Sequence, residues 1–285
     1  MILVYNQKRI HDPASLRGDC NVEGFGENKA NITFNVSDEL VKFIVYALKN
    51  QAKINYSVCS KCIDWESFPE IEKEILIPDF PLDIISSSFD RTIYPRFSPN
   101  EETIENYFEA IISGEEMPPI TIGVYDDGEK LNIILLDGFH RLKAKEKFYK
   151  VFYENEIVFK TIKAKIIRID DKKELFIYSI KENLKHGLPL TKEEKISYAR
   201  KLYEMNFEIE EIAQIFSVSK RTIYNWLEGI LKENKENLKE TAIKLYKQGK
   251  TQIEISKELG VPRQTISYWL QSDKLNEVCP IFEKF

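Results

Sequence analysis

Apolar and polar residues follow two different rhythms along the chain, and the change of rhythm divides it into regions. Between residues 76 and 170, short apolar runs alternate with segments of helical spacing, which is typical of an α/β domain. From residue 171 onward, apolar residues recur every three or four positions, which predicts an all-α region. The first part shows neither rhythm consistently, and no role is assigned to it. The predicted parts are 1–75, 76–170, 171–232 and 233–285.

Turn chemistry separates strands from helices within the α/β pattern. Asp126-Asp-Gly128 lies between two apolar runs and predicts a β-hairpin. The run before Asp137 is almost wholly apolar, which predicts a strand buried on both faces. In the N-terminal part, Ser37 precedes a strongly apolar segment and predicts a capped helix. Strands are expected at 80–85, 120–125, 131–136 and 161–168, and helices at 103–112 and 140–148.

The helical region contains an internal repeat. Residues 212–227 align without gaps to residues 255–270, and six of the sixteen positions are identical. A repeated segment of this length indicates one supersecondary unit present twice. The apolar positions recur in both copies, and Trp226 and Trp269 fall among them, so we assign both rings to packing.

Each copy has the pattern of a helix-turn-helix. Ala213 and Ser256 provide the small side chain that two steeply crossed helices need where they touch. Four residues later, Ser217 and Gly260 stand where the chain must turn sharply, and glycine suits that conformation better than serine. Ser219 is a suitable N-cap for the second helix of the first copy.

The second helix of each copy presents polar residues on its outward face. Side chains of these types hydrogen-bond base edges and phosphates in the major groove of DNA. A pair of plain αα-hairpins with solvated polar faces would show similar residues, but two matching copies favour DNA binding. The DNA-binding candidates are Lys220, Arg221, Asn225, Arg263, Gln264 and Ser267.

Composition and charge narrow the function classes. The net charge of −5 excludes a large basic surface, and residues 190–285 hold 16 Lys and Arg against 15 Asp and Glu. DNA binding therefore requires a local basic face. No apolar run reaches the ~18–20 residues of a membrane span, and the start lacks the features of a signal peptide. With only four cysteines, we expect a cytoplasmic, nucleoid-associated protein without a membrane partner.

Asp137-Gly-Phe-His-Arg141 is the segment richest in candidate chemistry. It follows the apolar strand and opens a helix. Backbone N–H groups at a helix N-terminus bind anions, a glycine lets the backbone approach a ligand closely, and arginine grips phosphate with two nitrogens. Asp137 can bind a metal ion or accept a proton from a ligand. The alternative is a surface turn in which these polar groups are incidental.

Three segments carry a resemblance to a known family, in that family's order. They are Tyr94-Pro-Arg96 with Met117–Ile122, Leu136–Ala144 and Glu182–Thr191, and a helix-turn-helix follows them. Together they resemble the ParB/sulfiredoxin-like family, which includes the ParB N-terminal domain, over about residues 78–230. Phe139 stands where sulfiredoxins carry a cysteine, which disfavours their chemistry.

The resemblance implies an α/β ParB/sulfiredoxin-like domain followed by an all-α tandem helix-turn-helix region. It also implies a bound nucleoside tri- or diphosphate with Mg²⁺. His186 can reach the same pocket as a phosphate donor or general acid/base, or it can simply tie down the loop before Pro189. Besides His186, the implied pocket residues are Arg96, Gly138, His140, Arg141, Glu182 and Asn183.

Two hypotheses of different classes follow. In the first, the protein is a ParB-like transcription regulator or DNA-partitioning factor that binds double-stranded DNA and a nucleotide, and forms a homodimer on two-fold symmetric sites. In the second, the same phosphate site belongs to an enzyme, with Asp137 and His140 as catalytic residues. That enzyme would be a free-serine-kinase-like phosphotransferase, a nucleotide hydrolase or a nuclease. The tandem helix-turn-helix favours the first hypothesis.

The cysteines supply half of a zinc pattern. Cys59-Ser-Lys-Cys62 has the ligand spacing of a zinc site, and a second cysteine pair is absent. His11 and Cys20 can complete a set of four ligands, although their spacing does not demand it. Unligated cysteines are the favoured interpretation.

Overall fold

The chain folds into two compact units, Met1–Lys195 and Ile196–Phe285. A computed structural model gives the architecture. No helix in its described residues is long and apolar enough to cross a lipid bilayer. The residues that the structure describes are 1–4, 7–11, 14, 33–60, 62–64, 67–68, 70–86, 99–185 and 189–278.

The N-terminal part of the first unit forms a small sheet and one helix. The strands β1 (Ile2–Val4), β2 (Arg9–His11), β3 (Thr33–Asn35) and β4 (Ser57–Val58) lie in the order β3-β1-β2-β4. Helix α1 spans Asp38–Lys49, and the side chain of Ser37 accepts a hydrogen bond from the N–H of Leu40, which confirms the predicted cap. The hydrophobic pattern predicted no sheet here, because strands of two or three residues are too short to show an alternation.

A second, four-stranded sheet forms the centre of the first unit. Its strand order is β5-β8-β6-β7, with β6 parallel to β8 and the other neighbours antiparallel. Four helices accompany it, and one hydrophobic core is continuous across both sheets. The strands are β5 (Glu74–Pro81), β6 (Ile120–Asp126), β7 (Leu131–Asp137) and β8 (Thr161–Arg168), and the helices are α2 (Leu82–Ser86), α3 (Glu101–Ile112), α4 (Phe139–Tyr153) and α5 (Lys172–Lys185).

Three of the four predicted strands and both predicted helices are confirmed, and one strand is wrong. Residues 80–85 do not form one strand, because β5 ends at Pro81 and α2 begins at Leu82. The apolar run there is short, and such a run does not distinguish a strand from a buried helical turn. The β6–β7 hairpin is confirmed, and the residues from Ile133 to Leu136 are buried, as predicted for a covered strand.

The second unit is helical, and both predicted helix-turn-helix pairs are present. Ser217 (φ 53°) and Gly260 (φ 63°) both adopt the left-handed conformation that the repeat predicted. The side chain of Ser219 caps α8 by accepting from the N–H of Thr222 at 3.2 Å. The helices, the first of which begins just before this unit, are α6 (Lys192–Glu204), α7 (Ile209–Phe216), α8 (Lys220–Lys247), α9 (Gln252–Leu259) and α10 (Arg263–Val278).

Both tryptophans of the repeat pack, as predicted. The ring of Trp226 meets Phe216 edge to face, with ring centroids 5.6 Å apart. Trp269 is buried in a cluster with Ala242, Ile255 and Ile266, which joins α8, α9 and α10. Because α8 packs on α7 near its start and on α9 and α10 near its end, one continuous helix belongs to both pairs. The predicted boundary between residues 232 and 233 lies inside this helix.

Candidate nucleic-acid interface and phosphate site

The six DNA-binding candidates lie in the first two turns of α8 and α10. Five of them are exposed and Ser267 is half-buried. The cap at Ser219 and the apolar residues Ile223 and Leu227 turn the opposite face of α8 inward, which leaves Lys220, Arg221 and Asn225 outward. In α10, buried apolar residues at the same spacing leave Arg263, Gln264 and Ser267 outward. Each second helix therefore presents a polar face at its N-terminal end, where helix-turn-helix proteins contact base edges.

The basic residues among the six candidates differ in whether they form an ion pair. Lys220 forms an ion pair with Glu210 of α7, which offsets part of its charge. Neither Arg221 nor Arg263 forms an ion pair with any residue that the structure describes. Arg263, Gln264 and Ser267 line a surface cavity of about 460 Å³ together with Gln252 and Pro262. The two arginines are therefore the cations best placed to meet an external anion.

Two tyrosines on the same helices were not among the predicted residues. Tyr224 is 52% exposed and Tyr268 is 70% exposed, which is unusual for rings of this size. In the repeat alignment they correspond to Ser267 and Asn225, so their positions in the two polar faces were visible in the sequence. A tyrosine hydroxyl can hydrogen-bond a phosphate, and its ring can contact a thymine methyl group.

In the first unit, Gly138 makes the turn from β7 into α4. Its φ is +98°, and a Cβ built on it would lie 2.6 Å from Cγ2 and 3.1 Å from the Cα of Ile120. Only glycine fits this position without displacing β6. No side chain caps the first turn of α4 at Gly138. A helix N-terminus without such a cap is suited to an anion.

Arg141 holds the start of α4 against the entry to β6. The residue is only 9% exposed. One terminal nitrogen, Nη1, donates to the carbonyl oxygens of Pro118 at 2.9 Å and Pro119 at 2.8 Å, and Nη2 donates to Oδ2 of Asp137 at 2.5 Å. These three bonds occupy the guanidinium and the carboxylate within the protein. The contacts support a structural role for Asp137 and Arg141.

His140 joins α4 to α3. It is 6% exposed, and its Nε2 accepts a hydrogen bond from the backbone N–H of Asn100 at 3.0 Å. An accepting nitrogen carries no proton, so this geometry requires a neutral imidazole with its proton on Nδ1. The side chain of Asn100 in turn caps α3 by accepting from the N–H of Thr103 at 2.7 Å. His140 therefore orients the helix that packs on α4.

Asn183 joins helix α5 to the end of β7, just before the turn at Gly138. Its Nδ2 donates to the carbonyl oxygens of Leu136 at 2.8 Å and Ser179 at 2.9 Å. The side chain is 1% exposed in total, yet its Oδ1 has no hydrogen-bond partner among the described residues. A buried unpartnered oxygen of this kind is rare and costly. Oδ1 of Asn183 is therefore an unused hydrogen-bond acceptor at the end of β7.

Glu182 lies beside Asn183 on α5 and is paired. Its carboxylate accepts a hydrogen bond from Lys185 at 3.0 Å, and this bond raises the pKa of the lysine above its usual value. The structure thus brings Asp137, Gly138 and Asn183 together at the end of β7, and Glu182 precedes Asn183 in α5. Of the four other pocket candidates, His140 and Arg141 lie in α4, whereas Arg96 and His186 lie outside the described residues.

The zinc candidates are only partly described. Cys59 and Cys62 are buried, and Sγ of Cys62 lies 3.9 Å from the carbonyl oxygen of Cys59. Cys20 and the side chain of His11 lie outside the described residues. Within the described part of the chain, no three metal-binding side chains come together.

One further cavity, of about 240 Å³, lies where the N-terminal sheet meets the α/β sheet. At one wall, the ammonium group of Lys8 donates to Asp83 at 2.8 Å and to the hydroxyl of Tyr56 at 3.3 Å. The Tyr56 hydroxyl donates to the same carboxylate at 2.9 Å. No motif in the sequence pointed to this cavity, because its residues come from distant segments.

Comparisons with known proteins cover parts of the chain. Among solved structures, the chain is similar to the C-terminally truncated chromosome-partitioning protein ParB from Caulobacter crescentus complexed to the centromeric parS site. The identity is 19%, over 55% of this chain and 70% of that one, with a TM-score of 0.34. The complex of that protein with CTP-gamma-S has 20% identity over 55% and 77% of the chains, with a TM-score of 0.29.

The comparison at the sequence level is confined to the C-terminus. No curated protein matches the chain. Residues 234–272 match the family model described as a Homeodomain-like domain. These residues comprise the end of α8, all of α9 and the start of α10. The match therefore covers the second of the two predicted helix-turn-helix units.

Proposed function

We propose that this protein binds double-stranded DNA through its two helix-turn-helix units. The observation that carries the proposal is the exposed arginine at the start of the second helix in each unit, Arg221 in α8 and Arg263 in α10, neither of which is ion-paired within the described part of the chain. Asn225, Gln264 and Ser267 supply neighbouring groups that hydrogen-bond base edges. Lys220, although paired with Glu210, lies where it can contact a phosphate.

The proposed biological role is transcription regulation or DNA partitioning. Both roles require a protein that recognises a duplex and holds it, and neither requires a catalytic centre. A homodimer would place two copies of each unit on a two-fold symmetric site. The protein would then be nucleoid-associated.

We expect Arg221→Ala and Arg263→Ala each to weaken binding to duplex DNA about ten-fold or more, since one charged contact is worth about 1–3 kcal/mol. The measurement is fluorescence anisotropy with a labelled 30-base-pair duplex of mixed sequence at two salt concentrations. Both residues are exposed, so circular dichroism should show unchanged helix content.

Arg200→Ala is the matched control, because Arg200 is an exposed arginine of α6 outside both helix-turn-helix units. It should bind the duplex within two-fold of the wild type. Equal affinities for all three variants and the wild type would contradict the proposal, as would failure of the wild type to bind at 50 mM salt.

We further propose that the turn from β7 into α4 binds the phosphates of a nucleotide together with Mg²⁺. Gly138 makes the turn into α4 in a left-handed conformation, and the α4 N-terminus lacks a capping side chain. The unpartnered Oδ1 of Asn183 and the neighbouring carboxylate of Glu182 provide oxygen ligands of the kind that Mg²⁺ prefers. Because Arg141 is committed to Asp137 and two carbonyl oxygens, its role at such a site would be indirect.

One nucleotide among CTP, ATP and ADP, added with Mg²⁺, should raise the thermal midpoint of unfolding. At a concentration 100 times its Kd, a ligand of the folded state stabilises it by about 2.7 kcal/mol. Glu182→Gln should weaken this effect, whereas Glu156→Gln, an exposed change near the far end of α4, should not. No shift with any of the three nucleotides would rule the phosphate site out, and product release in the same samples would reveal hydrolysis.

A further inference from the structure

Helix α8 connects the two DNA-binding units without a break. It runs for 28 residues from Lys220 to Lys247. Arg221 lies in its first turn, and Ala242, which packs against α9 and α10, lies near its end. At a rise of about 1.5 Å per residue, these two positions are about 30 Å apart along the helix axis. A continuous helix sets this distance, which a flexible linker would not.

Between residues 229 and 240 of α8, the exposed lysines and the exposed glutamates point in different directions. A helix turns about 100° per residue, so Lys232, Lys235 and Lys239 lie within about 40° of the direction of Arg221. Glu233, Glu236 and Glu240 lie about 60–120° away, on one flank. Alternating lysines and glutamates in the sequence thus become a basic face and a separate acidic flank. We call the three lysines the basic stripe.

The basic stripe is accessible and carries unneutralised charge. Lys232 and Lys235 are exposed, and Lys239 is partly exposed. None of the three forms an ion pair in the second unit, which the structure describes as far as residue 278. Glu228 shares this face, between Arg221 and the stripe, and a glutamate there can accept a hydrogen bond from a cytosine amino group.

The second helix-turn-helix unit packs on the flank of α8 opposite the acidic one. The α8 residues in the cluster with α9 and α10 are Leu238, Ala242, Ile243 and Leu245. Relative to Arg221, they spread from about 40° on the glutamate side to about 120° on the other side, with a mean direction about 75° from Arg221 on that other side. The acidic flank and the second helix-turn-helix unit therefore lie on opposite sides of the basic stripe.

We infer that one chain lies along a single DNA duplex with the basic stripe facing the phosphate backbone. The two helix-turn-helix units then contact two major-groove segments, and the distance of about 30 Å along α8 from Arg221 to Ala242, where the second unit packs, is comparable to the ~34 Å of one turn of DNA. The lysines of the stripe contact the backbone between these segments. The inference rests on the proposed DNA-binding function and adds a second contact surface and a fixed spacing to it.

The first test is the salt dependence of binding. Each phosphate contact contributes about −0.9 to the slope of log K against log salt. The variant Lys232→Gln/Lys235→Gln/Lys239→Gln should therefore lower the magnitude of that slope by about 2–3 and weaken binding at 50 mM salt at least ten-fold. The probe is the labelled 30-base-pair duplex of mixed sequence.

Lys244→Gln is the matched control on the same helix. Lys244 is exposed, and it lies about 140° from Arg221, away from the stripe. This variant should keep the wild-type slope. A triple variant that also keeps the wild-type slope would overturn the inference, while loss of binding in Arg221→Ala and Arg263→Ala would still support the proposed function.

The second test is the spacing of the two contacts. A duplex selected from a random pool should show, in methylation interference, two major-groove segments centred about 10 base pairs apart for each bound chain. Inserting 5 base pairs between them should reduce affinity to that of Arg263→Ala, because the rigid helix cannot turn the second unit to the other side of the duplex. A site that tolerates the insertion, or one with a single protected segment, would refute the fixed spacing. If the wild type binds no duplex, the proposed function itself fails.

Discussion

Gly138→Ala should lower the free energy of unfolding of the first unit by about 3 kcal/mol or more. A left-handed backbone costs a residue with a Cβ about 1–2 kcal/mol. The new Cβ would also lie 2.6–3.1 Å from three atoms of Ile120, one of them the backbone Cα. Ile120 is fully buried at the start of β6, so it can move only by shifting the strand, and overpacking of this kind costs about 1–3 kcal/mol.

Urea unfolding followed by circular dichroism measures this loss, and Gly128→Ala separates its two causes. Gly128 has a similar φ of +87°, but a Cβ there would meet nothing within 4 Å. We expect Gly128→Ala to cost only about 1–2 kcal/mol, the cost of the backbone conformation alone. Equal losses for the two variants would show that contact with Ile120 is unimportant.

Arg141→Met should destabilise the first unit by about 2–4 kcal/mol. The change removes three hydrogen bonds at once. It leaves Asp137, whose side chain is 19% exposed, without its ion-pair partner, and removing one member of a buried pair is strongly destabilising. The Pro118 and Pro119 carbonyl oxygens lose a donor as well. Thermal and urea unfolding of the purified variant give the magnitude.

Arg141→Lys tests whether geometry or charge matters at this position. A lysine keeps the charge but cannot reach the two proline carbonyls and the Asp137 carboxylate with the fixed fork of a guanidinium. We therefore expect it to lose most of the same stability. Wild-type stability in Arg141→Lys would instead favour a role in which only the charge is used, as at a phosphate.

The sequence predicted the helical unit well because its information is local. The spacing of apolar residues defines the helices, and the turn residue stands directly after the first helix of each pair. Ser217 and Gly260 adopt the same left-handed conformation although only one is a glycine. The hairpin around Asp126–Gly128 was predictable for the same reason. These features depend on neighbours within a few residues.

The candidate phosphate site was predicted only in part. The position of Gly138 between a buried strand and a helix could be inferred from the segment itself. The partners of Arg141 could not, because Pro118 and Pro119 are more than twenty positions away in the chain. Asn183 reaches the carbonyl oxygen of Leu136 across 47 positions. The sequence pattern therefore identified residues that lie together without indicating which of them already bond to one another.

The spacing of apolar residues could not predict the N-terminal sheet or the start of α2, for a different reason. Strands of two or three residues have too few positions to show an alternation, and the run at 80–85 suits a strand or a helix equally. Whether such a segment forms a strand depends on its pairing with a neighbouring strand, which is β1 for β2 and β8 for the end of β5. The helix-turn-helix units, the main hairpin and the glycine turn could be inferred from the sequence, because they depend on local backbone preferences. The pairing of charges, the pairing of the short strands and the packing of α9 and α10 on the end of α8 became visible only in the folded chain, because they depend on contacts between residues far apart in the sequence.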